Sequence, residues 1–282
     1  MTANHIYHRP RTLDAALAHL AEGAPRIAAG CTDLFPATEH KVMPWPVVDI
    51  SAIDELRGIT QTTEGVRIGA TTTWRDVIEA DLPSAFDGLK LAAREVGARQ
   101  IQARGTIAGN LCNASPAADG VPPLLTLDAE VELRSQSGAR RLPLAQFITG
   151  PRQTAHDTDE IVTAIHVPAT ALAGEAGFLK LGARKYLVIS IAMTAARVVL
   201  KDGIVQQAAL AIGSCAPVAT RLPEAEAALL GAPLDPARIT EDMIASRLSP
   251  IDDIRADAGY RRGTALELLR RTLASFSERA AA

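Results

Sequence analysis

Two short glycine-bearing stretches hold the residues best suited to receive a ligand. The first, AAGCTDL, spans residues 28–34, and the second, GTIAGN, spans residues 105–110. They offer Gly30, Thr32, Asp33, Thr106, Gly109 and Asn110, small or hydrogen-bonding types with no cationic side chain among them. That chemistry suits an anion held by main chain, because successive backbone N–H groups in a turn form a concave nest for phosphate oxygens. Glycine lets the backbone approach closely or take a positive φ. Neither stretch is a single-loop phosphate motif, since G-x-x-x-x-G-K-S/T and G-x-G-x-x-G are both absent. Two loops from separate units, converging on one site, would grip a diphosphate between them. On the residues alone, ordinary tight turns remain the plainer reading of each.

The elements that must carry these loops are readable from periodicity. Residues 1–55 read as a small α/β unit. Thr12 caps a helix whose stripe is Leu13, Ala16, Leu17 and Leu20, and Gly23 and Pro25 stop it. RIAAG is a short strand entering the first loop, TDLFPATEHK a short helix broken near Pro36, and PVVDIS a buried strand. Residues 56–172 form a second, α+β unit. It has a hairpin at Glu64-Gly65, a helix capped at Thr72 or Thr73, a second helix in FDGLKLAAREVGAR, and the second loop. A helix starting at Ser115-Pro116 follows, then a hairpin around Gln136-Ser137-Gly138, and DEIVTAIHVP as the closing strand. Residues 173–282 read as antiparallel strands turning at Lys201-Asp202-Gly203, followed by a helical bundle that includes DPARITEDMIASRLS.

Bulk properties exclude several classes. The chain has 282 residues, a net charge of −3 and no run of like charges, so no basic footprint for nucleic acid exists. Aromatics make up only 4%, so the core is aliphatic. No apolar run reaches the ~18 residues of a membrane span, and MTANHIYHRP lacks the apolar core of a secretion signal. The cysteines, Cys31, Cys112 and Cys215, are odd in number and far apart, which fits reduced thiols in a cytoplasmic protein and no cluster built by this chain alone. His5 and His8 are spaced as a ligand pair, but no further ligand is evident and surface positions are expected.

The segments IAAGCTDLFP and ARGTIAGNLCNASPAADGVPPLLTLDAEVEL, together with FLKLGARK, resemble the flavoprotein (medium) subunits of molybdenum hydroxylases. That family includes the xanthine dehydrogenase flavin domain and the carbon monoxide dehydrogenase medium subunit. The resemblance covers nearly the whole chain. It implies an α+β, two-domain FAD-binding fold of the vanillyl-alcohol oxidase (PCMH) type, followed by a C-terminal α+β domain. It places Ala29, Gly30, Cys31, Thr32, Asp33, Leu34, Thr106, Ile107, Ala108, Gly109 and Asn110 along FAD, with Asp119, Val162 and Lys180 as further contacts. Thr106 and Asn110 either donate to phosphate oxygens or cap turns. Asp119 either accepts from FAD hydroxyls or ends a helix. Lys180 either places positive charge near the flavin or is a solvated strand-edge lysine, and Arg184 and Lys185 face either the flavin or a partner.

Cys31 stands where the family has a second glycine, and Ala108 replaces the first glycine of its T-I-G-G-N. Both add a Cβ, so altered fit rather than lost binding is expected. Neither loop has a histidine, so the FAD is expected to be non-covalent. The resemblance implies electron transfer from 2Fe–2S clusters of a small partner subunit through FAD to an external acceptor such as NAD, a quinone, another carrier or oxygen. The molybdenum cofactor is expected on a large partner subunit. Two other readings stay open: a self-sufficient FAD-dependent oxidoreductase, and a flavin-free assembly module in which Cys31 and Ala108 mark a decayed site.

Overall fold

The structure, a computed structural model, describes residues 7–23, 25–40 and 42–281. Its first sheet comes from β1 (Tyr7–His8), β2 (Arg26–Ala28) and β3 (Val47–Asp49), with α1 (Leu13–Ala21) crossing over. The strands are parallel in the order β1-β3-β2. Thr12 caps α1, its hydroxyl accepting from the Ala15 N–H at 3.3 Å. The stripe Leu13, Ala16, Leu17 and Leu20 is buried against Val48, Ile50, Ile53 and Leu56. Parallel strands leave their carboxyl ends as the natural place for a ligand, and the first glycine loop leaves the carboxyl end of β2.

The second sheet has five antiparallel strands in the order β4-β5-β10-β6-β7. The chain runs through β4 (Ile59–Thr62), β5 (Gly65–Gly69), α2 (Trp74–Glu79), α3 (Asp87–Glu95), α4 (Arg99–Gln102), α5 (Ile107–Asn113) and α6 (Val121–Thr126). It continues through β6 (Glu130–Ser135), β7 (Gly138–Pro143), α7 (Leu144–Phe147), β8 (Ile148–Gly150), β9 (Gln153–Thr154) and β10 (Ile161–Pro168). Trp74, Phe86, Leu89, Ile107, Leu111, Leu124 and Leu127 fill the space between helices and sheet. Two helix starts are tied together there. Thr73 and Thr106 form a β-bridge, Trp74 N–H donates to Gly105 O at 3.1 Å, and Ile107 N–H donates to Thr72 O at 3.0 Å. Thr73, not Thr72, caps α2, through a reciprocal pair with Asp76.

The third sheet orders β11 (Glu175–Leu181), β12 (Ala192–Lys201), β13 (Ile204–Gly213) and β14 (Thr220–Arg221) in sequence, antiparallel. Leu269, Leu273 and Phe276 of α10 (Ala258–Ala281) are buried in the same core as α8 (Pro223–Leu229) and α9 (Glu241–Ala245). Two arginines fasten this sheet to α6. Arg197 donates to Thr126 O at 2.8 Å, and Arg221 donates to Leu125 O at 2.9 Å and to Asp128 at 2.7 Å.

The molecule is therefore α+β, and local readings fail at three places. The helix expected after Thr32 does not form. Residues 32–37 make turns, with Phe35 N–H to Cys31 O at 3.5 Å and Ala37 N–H to Asp33 O at 3.1 Å; Pro36 between them has no N–H to give Thr32 O, so the two turns do not join into a helix. No helix begins at Ser115-Pro116; the Ser115 hydroxyl accepts from Ala117 N–H in a turn, and α6 starts at Val121. In DPARITEDMIASRLS only Pro236–Arg238 and Glu241–Ala245 are helical.

Candidate functional site

Between the carboxyl end of the parallel sheet and the helical face of the second sheet lies a cavity of about 780 Å³. That falls within the ~300–1,000 Å³ range of small-molecule and cofactor sites. Ala29, Gly30, Cys31, Thr32, Asp33 and Leu34 line one side, Thr106, Ala108, Gly109 and Asn110 the other, and Val162 of β10 contributes as well. The two stretches singled out by composition, residues 28–34 and 105–110, thus meet at one place.

The first loop has the character of an anion nest. Cys31 holds φ 62°, the left-handed region, directly after Gly30. The N–H groups of Gly30, Cys31, Thr32, Asp33 and Leu34 have no acceptor among the described residues. Five successive unpaired donors are costly unless a ligand or water receives them. Gly30 has a steric reason of its own. A Cβ there would sit 2.9 Å from Gly105 Cα and 2.9 Å from Arg104 C, and nearer still to Arg104 O. The glycine lets the two loops touch, which is a different task from leaving room for phosphate.

The second stretch is a helix start rather than a free loop. Thr106 caps α5, its hydroxyl accepting from Gly109 N–H at 3.1 Å, and Asn110 N–H donates to Thr106 O at 3.1 Å. Ile107 departs from the expectation: its side chain is fully buried in the core, its N–H is taken by Thr72, and it does not line the cavity. The reason is helical geometry, which stacks Ile107 with Leu111, one turn along α5, on the core face. The Ala108 N–H has no acceptor among the described residues. Asn110 Oδ1 is buried without a partner. An unpaired carbonyl oxygen in a cavity wall suits a ligand hydroxyl, which donates, better than a phosphate oxygen, which does not.

Two arginines of the wall carried no signal in composition or spacing. Arg152, at φ 61°, donates to Asn113 O at 3.0 Å and also to Asn113 Oδ1, while Asn113 Nδ2 donates to Asp33 Oδ1 at 3.0 Å. This chain joins the hairpin β8–β9, the end of α5 and the first loop across the cavity. Arg26, on β2, lies with its guanidinium 3.5 Å from the centre of the Trp45 ring. Two thiols also face the cavity. Burial and the neighbouring Asp49 carboxylate push the Cys31 thiol up, against a smaller opposing pull from Arg104. The protein crowded around Cys112 pushes its thiol up to about 12, although its surface opens onto the cavity. Both stay protonated near neutrality, so neither is an activated nucleophile.

Asp119 and Lys180 meet each other instead of lining this cavity. Lys180 Nζ lies 2.7 Å from Asp119 Oδ2, and Ser190 Oγ donates to Asp119 Oδ1 at 2.6 Å. Burial pushes the Asp119 carboxyl up, while Lys180 and Ser190 pull it down. Lys180 is buried at the floor of a second hollow of about 560 Å³, shared with Leu91, Glu95, Arg184 and Lys185. It is not a solvated strand-edge lysine. Of the histidine pair, His5 lies outside the described residues, and His8 stacks on His19 with ring centres 3.7 Å apart. Among the described residues no helix is long and apolar enough to cross a membrane.

Comparison with known proteins gives a consistent picture. Residues 2–170 match the family described as "FAD binding domain in molybdopterin dehydrogenase", and residues 178–276 match "CO dehydrogenase flavoprotein C-terminal domain". The putative xanthine dehydrogenase FAD-binding subunit of Escherichia coli (strain K12) is 36% identical over 81% of this chain and 80% of its own. The carbon monoxide dehydrogenase medium chain of Afipia carboxidovorans is 31% identical over 97% of each. Among solved structures, carbon monoxide dehydrogenase from Hydrogenophaga pseudoflava superposes with a TM-score of 0.87 at 30% identity, covering 95% of both chains.

Proposed function

The chain belongs to the family of FAD-binding subunits of molybdenum-containing dehydrogenases, and from that premise we propose that it holds FAD in the cavity between its first two sheets and passes electrons from a partner subunit to an external acceptor. The observation that carries the site is the run of five unpaired N–H groups, Gly30 to Leu34, in the wall of a cofactor-sized cavity. The residues fit a flavin dinucleotide. The nest and the Ala108 N–H suit the diphosphate, and the orphaned Asn110 Oδ1 suits a hydroxyl of the sugar-like chains.

When bound, FAD supplies the exchange between one-electron and two-electron carriers; the protein binds, orients and tunes it. Thr106 holds the start of α5 in place, and Gly30 keeps the two loops in register. Asp33, Asn113 and Arg152 close one stretch of the cavity. Val162 contributes an apolar wall. The Asp119–Lys180 pair ties the second unit to β11 and keeps a buried cation at the floor of the neighbouring hollow. The family's medium subunits are parts of larger assemblies, so we assign the molybdenum cofactor to a large partner subunit and 2Fe–2S clusters to a small one. The acceptor is NAD, a quinone, another carrier or oxygen.

Two measurements test this. The purified chain, reconstituted with excess FAD and desalted, is expected to be yellow with one flavin released per chain on denaturation. A colourless protein overturns the cofactor assignment. Co-expression with the partner subunits and reduction by a substrate of the complex should bleach the flavin band, and a flavin that stays oxidised while the clusters are reduced overturns the electron route.

A further inference from the structure

One face of the molecule concentrates cations that nothing in the chain neutralises. Arg94 in the last turn of α3, Arg99 on α4, Arg104 just beyond it, and Arg184 and Lys185 in the β11–β12 loop are all exposed. None of the five has an ion-pair partner among the described residues, whereas exposed arginines elsewhere, such as Arg57 and Arg271, pair with Asp76 and Glu267. Residues 88–105 and 176–191 contain a single carboxylate, Glu95, in a chain whose net charge is −3. Leu91 and Glu95 line the second hollow together with Arg184 and Lys185, so the two segments adjoin. Both are held in shape: Gln102 Nε2 donates to Arg94 O at 3.0 Å, and the Arg184 guanidinium donates to Leu187 O at 2.6 Å. Among the cations stand exposed apolar side chains, Leu91, Ile101, Leu179, Tyr186, Leu187 and Ile189. Ile101 also lines the first cavity, which puts this face beside its mouth.

We propose that this face docks a small acidic redox protein that carries one electron at a time, and that such a protein is the external acceptor. The proposal rests on the flavin reading above and narrows its list of acceptors to one class. Charge complementarity selects the partner: unpaired cations around apolar side chains match a carboxylate-rimmed surface with an apolar centre. Such charges steer the encounter and set its orientation without making it permanent. Permanent subunit interfaces are instead larger and depleted of charge at their core. Side chains exposed on three segments offer area, which a protein uses, where a small acceptor needs only a hollow. The electron count closes simply. One reduced flavin serves two carriers in succession, each taking one electron, and its two protons go to solvent.

The test uses the chain co-expressed with its partner subunits, reduced anaerobically with dithionite and desalted. It is mixed with ferric cytochrome c, either native and basic or made acidic by succinylation of its lysines, and haem reduction is followed. The two probes share one redox centre and differ in the sign of their surface. The acidic form should be reduced faster at low salt, with a rate that falls as salt rises. Arg94→Glu and Arg99→Glu should each slow it by on the order of threefold to tenfold. Their flavin content should match wild type, which separates lost docking from lost folding. Lys201→Glu, at the opposite end of β12 from the β11–β12 loop, should leave the rate unchanged. Equal or faster reduction of the basic form overturns the proposal, and so does indifference to Arg94→Glu. Hydrogen exchange of the chain alone and in the complex gives a second check. Protection of residues 90–104 and 182–189 on assembly would mark a permanent subunit interface and overturn it too. So would binding of the complex to phosphatidylcholine–phosphatidylglycerol vesicles that Arg94→Glu abolishes, which would mark a lipid surface. A complex without flavin fails at the flavin reading itself, a distinct result that takes this proposal with it.

Discussion

Gly30→Ala isolates the contact that holds the cavity together. The φ of Gly30 lies outside the left-handed region, so alanine meets no backbone penalty there and should gain a few tenths of a kcal/mol from the unfolded state. The steric effect opposes this and is much larger. The new Cβ would lie 2.9 Å from both Gly105 Cα and Arg104 C, where ordinary contact begins at 3.4 Å. The Arg104 carbonyl oxygen is closer again. All three obstacles are main chain, so no rotamer change relieves them, and the loops must part by at least half an ångström. Overpacking of this kind costs about 1–3 kcal/mol. Urea denaturation of the flavin-free chain should therefore show a lower midpoint with an unchanged slope. Flavin titration should show a weaker complex, since the nest and the Ala108 N–H no longer address one diphosphate. Gly23→Ala is the control: nothing lies within 4 Å of its added Cβ, and it should be neutral. If Gly30→Ala matches the control in both assays, the account of the glycine as the point of loop contact is wrong.

Other perturbations probe the surrounding parts. Lys180→Met strands the Asp119 carboxylate in a buried site and should cost about 3–5 kcal/mol by denaturation; adding Asp119→Asn should return much of it, and additive losses would refute the pairing. Thr106→Ala removes the cap of α5 and should cost about 1 kcal/mol, with the neighbouring amides exchanging faster. Asp253 is held down to about 2, first by the Arg255 N–H and then by the Arg261 and Arg255 side chains. Its stabilising contribution is present above the ordinary aspartate value of about 3.9 and is lost as pH falls towards about 2. The stability gap between wild type and Asp253→Asn should close across that window, and a gap constant from pH 5 to pH 2 would refute the assignment.

The elements that follow from one-dimensional periodicity are legible in the residues. The stripe of α1, the hairpin turn at Lys201-Asp202-Gly203, and the strand pair β6–β7 appear where pattern and turn chemistry place them. The resemblance in the two glycine segments identified the family. What sequence could not disclose depended on contacts between segments. The nest at Gly30 turns on a cysteine in a left-handed conformation, which cysteine rarely adopts and which no local pattern announces. Ile107 belongs to the core because α5 begins at this residue and its N–H is taken by Thr72, across the Thr73–Thr106 bridge. Arg26 and Arg152 reach the cavity through strand and hairpin geometry, and their side-chain types alone look like ordinary surface charge. Lys180 was ambiguous until Asp119, 61 residues away, supplied its counterion.

The two walls of the cleft are fastened unequally. The rear wall begins at two helix starts bridged to each other and backed by a five-stranded sheet. The front wall hangs on strands of two and three residues. The front wall is therefore the less firmly anchored of the two, and a molecule bound to both would act as a rivet. Its binding energy would be felt most as protection of residues 26–49 against exchange and proteolysis, so that cofactor loading and completion of the N-terminal lobe become one event.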